Sequence, residues 1–263
     1  MNTEFPADLV GHACPGCRDG EVLDIEFIMA FQPILDLRTM RPFAYEALVR
    51  GIDGGGAQTV LGKVDDHNRY RFDQACRVKA IEQVSALGLH HLPGCFLSIN
   101  FFPNAVYRPE MCIRSTLQAC QTSGFPIDRL MFEVTESEPI ENPQHLSNIF
   151  AEYRRQGFMT AIDDFGSGYA GLNLLSQFQP DCLKIDIQLV RDIHQDKVKK
   201  SIVQGVVGVA SSLGLRVIGE GVEVAAERDA LLDMGIVLQQ GFLYARPAID
   251  QLPLASGWTG EAG

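Results

Sequence analysis

The chain has 263 residues, 46% of them hydrophobic and 21% charged, with a formal net charge of −11. The length suits one large domain with a core of ordinary density. The acidic balance excludes a coat for a nucleic-acid polymer. No apolar run approaches the roughly 18–20 residues that a membrane helix needs, and the N-terminus lacks the basic-then-apolar pattern of a secretory leader.

Residues 1–24 are polar and punctuated by Gly and Pro, so they read as a tail or cap; residues 25–255 read as one domain and 256–263 as a second tail. Strands are expected at Phe27–Ile34 and Pro42–Val49, separated by a connection too short for a helical crossover, which predicts an antiparallel hairpin. Gly51–Ala57 follows as a Gly-rich connection over a barrel mouth, without the spacing of a phosphate loop. Arg71–Leu87 has helical spacing. Further short apolar strands are expected at Cys95–Asn100, Leu130–Val134, Met159–Asp163, Cys182–Asp186, Leu215–Gly219 and Gly235–Gln240. Between them, Asn142-Pro143 opens a helix that Gly157 closes, and helices Val198–Leu213 and Glu223–Met234 end at Gly214 and Gly235. The alternation of strand and helix predicts an α/β fold, a TIM-like (β/α)8 barrel with one antiparallel strand at its N-terminal end.

The seven cysteines are odd in number and irregular in spacing, which reads as free thiols in a reducing cytoplasm. Cys14 and Cys17, preceded by His12, form a lone CxxC pair without the second half of a zinc site.

Nearly every predicted strand delivers a polar group at its C-terminal end: Glu46, Asn100, Glu133, Asp163 with Asp164, Lys184 with Asp186, Glu220 and Gln240. In an α/β barrel those ends meet at one mouth. Converging carboxylates repel one another unless cations separate them. Hard divalent ions prefer oxygen ligands, and no matching His/Cys set points to zinc. An Asp pair can bridge two ions, an arrangement that activates water for phosphodiester cleavage.

The ordered motifs resemble one family. Glu46-Ala47-Leu48-Val49-Arg50 resembles the signature of EAL phosphodiesterases and follows Phe31-Gln32-Pro33-Ile34. Ser98-Ile99-Asn100, Glu133-Val134-Thr135-Glu136, Asp163-Asp164-Phe165-Gly166-Ser167-Gly168, Lys184-Ile185-Asp186, Glu220-Gly221-Val222-Glu223 and Gln240-Gly241-Phe242-Leu243 with Arg246-Pro247 resemble its later motifs in order. The resemblance implies hydrolysis of cyclic di-GMP to linear pGpG with two Mg²⁺ or Mn²⁺ ions. It places Glu46, Asn100, Glu133 and Asp163 on one ion, with Asp163 bridging to a second that Asp164 also binds. It makes Glu220 a ligand or general base, Lys184 the group that orients the attacking water, and Gln240 its support. Leu48 and Arg50, with Gln32 and Asp186, are its substrate contacts. Glu136, Gly166 and Gly168 organise a loop that in the family connects the metal site to a dimer interface, so a homodimer is expected. The regulatory partner stays unknown. The alternative is a non-catalytic cyclic di-GMP receptor or interaction module. Gly51 departs from the family pattern, as do the short Gly51–Lys63 segment and Ala170-Gly171.

Overall fold

The computed structural model describes residues 23–136, 142–168, 171–254 and 257–259. His12, Cys14 and Cys17 lie outside the described residues, as do Tyr169 and Ala170.

β1 (Ile28–Asp36) and β2 (Arg41–Arg50) form the expected antiparallel hairpin. Its turn is stabilised by the Asp36 carboxylate, which accepts the Arg38 N–H at 2.9 Å. β3 (Phe96–Asn100), β4 (Leu130–Thr135), β5 (Met159–Phe165), β6 (Cys182–Ile185), β7 (Arg216–Gly219) and β8 (Leu238–Gln239) follow, each parallel to the one before. β8 pairs antiparallel with β1, so the sheet closes into an eight-stranded barrel in which β1 alone runs backwards.

The helices of the outer layer are α1 (Ala57–Leu61), α2 (Arg69–Ala86), α3 (Pro109–Cys112), α4 (Arg114–Ser123), α5 (Pro143–Arg155), α6 (Gly171–Gln177), α7 (Ile187–Val190), α8 (Lys197–Leu213) and α9 (Ala225–Asp233). The sequence cues for α5 and α8 hold in detail. Asn142 caps α5 by accepting the His145 N–H at 3.1 Å, and Gly214 ends α8 with φ +73°. Three expected boundaries move. The eighth strand keeps only Leu238–Gln239, because Gly235 is spent in closing α9, and Glu223 lies in the loop before that helix. The sixth strand ends at Ile185, one residue before Asp186.

The barrel interior is filled in layers. Ile34, Ala44, Met131, Ala161, Cys182, Ile218 and Leu238 form one buried apolar plug. Side chains on one face of a strand recur every second residue. Two residues beyond the plug the same faces therefore carry Glu46, Glu133, Asp163, Lys184, Glu220 and Gln240. On the reversed β1 the polar partner comes two residues earlier, at Gln32, which stands opposite Glu46 in the hairpin register.

The hairpin has no crossover helix to cover it, and the C-terminal segment takes that place. β9 (Ala248–Ile249) pairs with β1 at Ala30 and Phe31, and the Tyr45 hydroxyl donates to the Pro253 carbonyl. Beyond it, the Trp258 N–H donates to the Met40 carbonyl at 3.1 Å, and its ring meets Tyr244 edge-on at 5.0 Å. Among the described residues, Cys76, Cys95, Cys112, Cys120 and Cys182 are buried and form no disulfide, and no helix is long and apolar enough to cross a membrane.

Candidate active site

The polar layer above the plug is organised around the ammonium of Lys184, which is fully buried on β6. Its Nζ lies 2.8 Å from Glu220, 2.9 Å from both Glu133 and Asp163, and 3.4 Å from Glu46. Glu46 is tied on its other sides: it accepts from Asn100 Nδ2 at 3.0 Å and from Gln240 Nε2 at 2.7 Å. Gln240 Nε2 also donates to Gln32 Oε1 at 3.1 Å, and Gln32 Nε2 donates to the Ala245 carbonyl at 3.1 Å. Glu46, Asn100, Glu133, Asp163, Lys184, Glu220, Gln240 and Gln32 are thus drawn from eight different strands or strand ends into one cluster.

The carboxylates fall into two overlapping groups. Glu46, Glu133 and Asp163 each offer an oxygen within 4.8 Å of the others, and so do Asp163, Asp164 and Glu220. Asp163 belongs to both. Successive residues of a regular strand face opposite ways, so Asp163 and Asp164 should not aim at one centre. They do because β5 is irregular there. Its register with β6 shifts between Ile162 and Phe165, and Asp164 takes φ +53°. Asp is one of the few residues that enters this left-handed region readily, and a strand bulge re-aims a side chain in this way.

Glu133 is fully buried, and its Oε1 has no hydrogen-bond partner among the described residues; the same holds for Gln240 Oε1. A buried, unpaired acceptor costs about 1–3 kcal/mol, so these oxygens are poised to bind a cation or a donor. The donor set is all oxygen, which fits hard divalent ions such as Mg²⁺ or Mn²⁺.

Burial and mutual repulsion raise the pKa values of three of the carboxyls. Burial pushes Glu133 up to about 8, against the pull of Lys184. Burial and the Asp163 charge raise Asp164 to about 6 and lift Glu220 well above the usual carboxylate range. Burial alone would lower the Lys184 pKa, but Asp163, Glu133, Glu220 and Glu46 together outweigh it, and the amine stays charged.

Glu136 follows β4 and faces the next loop. Its two oxygens accept the N–H groups of Gly166 and Gly171, each at 2.6 Å, and its own N–H donates to the Asp163 carbonyl at 2.9 Å. Gly166 has φ +99°, and a Cβ there would meet Leu189 Cδ1 at 2.4 Å, so glycine is required. Gly168 packs against the Glu136 carboxylate.

The expected substrate contacts sort differently. Leu48 and Arg50 continue β2 past Glu46 and are half-buried at the mouth, where Arg50 Nη1 donates to the Val49 carbonyl at 2.7 Å. Asp186 is buried and acts locally, capping α7 by accepting the Gln188 N–H at 2.8 Å. Glu227, which belongs to none of the sequence motifs, holds backbone N–H groups of two mouth loops. Its signal in the sequence is an acid three residues after a helix start.

A family model described as the EAL domain matches residues 21–247. The standalone versatile EAL protein from Vibrio cholerae O395, solved in a c-di-GMP bound form, is 49% identical, with a TM-score of 0.84 over 88% of this chain and 96% of that one. Klebsiella pneumoniae BlrP1, solved as a manganese/cy-diGMP complex at pH 9.0, is 35% identical, with a TM-score of 0.79 over 87% of this chain and 58% of that one. Two curated relatives come from Escherichia coli (strain K12). The blue light- and temperature-regulated antirepressor BluF is 30% identical over 224 residues, which is 85% of this chain and 55% of that protein. The cyclic di-GMP phosphodiesterase PdeR is 41% identical over 135 residues, which is 51% of this chain and 20% of that protein. The chain thus spans about half, or less, of the curated relatives it matches.

Proposed function

The chain belongs to the EAL-domain family, and from that premise we propose that it hydrolyses cyclic di-GMP to linear 5′-pGpG with two Mg²⁺ or Mn²⁺ ions. The observation that carries this reading is the pair of acidic groups sharing Asp163 around one buried lysine. The relatives solved with cyclic di-GMP and with manganese support the ligand and the cations.

Glu46, Asn100, Glu133 and Asp163 would hold one ion, and Asp163, Asp164 and Glu220 the second. Bound there, the ions supply acidity to the attacking water and neutralise charge on the phosphoryl oxygens. The chain's own groups do the rest. Lys184 Nζ, fixed by its carboxylate partners, orients the water and offers a positive charge to the developing anion. Glu220 Oε1, 2.8 Å from that ammonium, is placed to accept the proton that water releases. The water oxygen bonds to phosphorus, the P–O3′ bond breaks, and the 3′ oxygen takes up a proton. Gln240 holds Glu46 in place. Arg50 pairs with a phosphate oxygen and Leu48 packs on the ligand. Gln32 contributes through Gln240, and Asp186 through the loop it caps.

A name that specifies antirepression, carried by BluF, favours a second reading in which the domain binds a ligand or partner without turnover. The retained acids and lysine weigh for catalysis. Incubation with cyclic di-GMP and Mn²⁺ separates the two: pGpG formation supports the first, and binding without turnover supports the second.

A homodimer is part of the reading. Leu172 on α6 and Val198 and Ile202 on α8 are 67%, 67% and 46% exposed, an apolar display on helices that flank the same strand, β6. α6 starts at Gly171, whose N–H is held by Glu136, so this face is tied to the loop behind Asp163 and Asp164. The buried thiols, which form no disulfide, accord with a cytoplasmic protein.

A further inference from the structure

Outside the mouth, Asp192, His194 and Glu227 also bring three potential ligand atoms within 4.8 Å of one another. The bonding pattern gives this group another purpose. Glu227 is 1% exposed, and both its oxygens are occupied by backbone. Oε1 accepts the Asp192 N–H at 2.9 Å, while Oε2 accepts the Glu223 N–H at 2.9 Å and the Val224 N–H at 3.2 Å. One buried carboxylate therefore clasps two loops that are far apart in sequence.

Both loops carry the chemistry of the mouth. The segment from β6 to Asp192 begins just after Lys184 and includes Asp186. The segment from Glu220 to Val224 begins with Glu220 itself. They also pack directly: Gly221 has φ +65°, and a Cβ there would lie 2.3 Å from Ile187 Cγ1. At the surface Arg191 and Glu223 add an ion pair between the same two loops. That pair is two-pronged but open to solvent, which screens it, whereas the hydrogen bonds to the dry Glu227 carboxylate are not screened. The clasp is the buried one of the two ties.

We propose that Glu227 is a positioning residue that sets Glu220 against Lys184 and against the Asp163–Asp164 pair. This deepens the reading of the mouth as a two-ion site and rests on it. The outer partners of metal ligands commonly matter by about 10–100-fold in metal affinity or activity.

The test uses the full chain with Glu227→Ala, Glu227→Gln and, as a control on the same helix, the exposed Asp229→Ala. Amide hydrogen exchange, Mn²⁺ calorimetry and steady-state kinetics are measured on each. In Glu227→Ala the amides of Asp192, Glu223 and Val224 lose protection. The weaker of two Mn²⁺ ions loses about 10–100-fold in affinity, and kcat falls by about the same factor with KM held within about threefold. Glu227→Gln keeps one accepting oxygen and falls between Ala and the native chain, and it carries the test alone should the Ala variant fail to fold. Asp229→Ala matches the native chain. Native Mn²⁺ binding and native kcat in both Glu227 variants, with only a lowered melting temperature, would overturn the proposal. An inactive native chain would sink the hydrolase reading, while exchange and Mn²⁺ binding would still decide the clasp.

Discussion

Asp163 Oδ1 stands 2.9 Å from Lys184 Nζ, and Asp163 is the residue common to both acidic groups at the barrel mouth. Its removal should therefore disturb both cation sites together. Asp163→Asn keeps the shape and removes the charge. Turnover should fall by at least about 10²-fold, more than for a residue one layer out. Mn²⁺ calorimetry should lose both ions, where Asp164→Asn should weaken mainly one. Retention of one native-affinity ion in Asp163→Asn would contradict the shared assignment.

Glu136 holds the loop behind the Asp pair by two short N–H bonds. Glu136→Gln leaves one glycine N–H facing an amide NH₂. A cost of about 1–3 kcal/mol is expected, which lowers the melting temperature of a chain this size by roughly 3–10 °C. Calorimetry of the metal-free protein checks this, and an unchanged melting temperature would count against the two bonds.

The raised carboxyl pKa values set a pH dependence with a definite sign. Glu133, at about 8, and Glu220 bind protons more tightly in the folded chain than unfolded. Their contribution to stability is present below the ordinary carboxylate range and is lost as pH rises toward the folded values. The metal-free chain should therefore melt lower at about pH 8 than at about pH 6. Cations need the ionised carboxylates, so binding releases protons. The gap in melting temperature between Mn²⁺-loaded and EDTA-treated protein should widen over the same interval. A gap that narrows would contradict the assignment.

Arg77 lies buried between α2 and α5, 2.8 Å from both Asp73 and the Tyr153 hydroxyl, with the Phe132 ring 5.0 Å away. Removing one member of a buried ion pair costs about 3–5 kcal/mol. Arg77→Ala should melt roughly 10 °C lower, with kcat little changed at temperatures where it is folded. Thermal unfolding and an assay at low temperature check both halves.

Exposed Ile202 on α8 offers a test of the dimer. Ile202→Asp places a charge on the apolar face and should shift sedimentation from dimer to monomer, with a loss of turnover. A native monomer of full activity would remove the dimer from the account.

Much of this architecture was legible because β-strand periodicity and barrel geometry reinforce each other. Met131 and Glu133, or Cys182 and Lys184, are a plug residue and a site residue two positions apart, and each strand repeats the pattern. The hairpin was legible from the shortness of its connection. Asp186 reads in sequence as a ligand contact; its cap on α7, where it accepts the Gln188 N–H, is an added role that the sequence reading does not name. Gln239 and Gln240 look alike in sequence. The strand turns Gln239 outward, onto the Ile236 carbonyl and the Tyr244 hydroxyl, and turns Gln240 inward to Glu46. β9 and the C-terminal strap carried no periodic signal, because two paired residues are too few to show one. Glu227 had only a helix-start signal, and its hold on the second loop was hidden because the partner there is the Asp192 backbone N–H, which leaves no trace in residue type.

The measurement that bears most directly on the whole account is the conversion of cyclic di-GMP by the purified chain with Mn²⁺ or Mg²⁺, and again after EDTA. Linear pGpG should form with either ion, cease with EDTA, and return when Mn²⁺ is restored. Binding of cyclic di-GMP with no pGpG formed by the metal-loaded protein would contradict it.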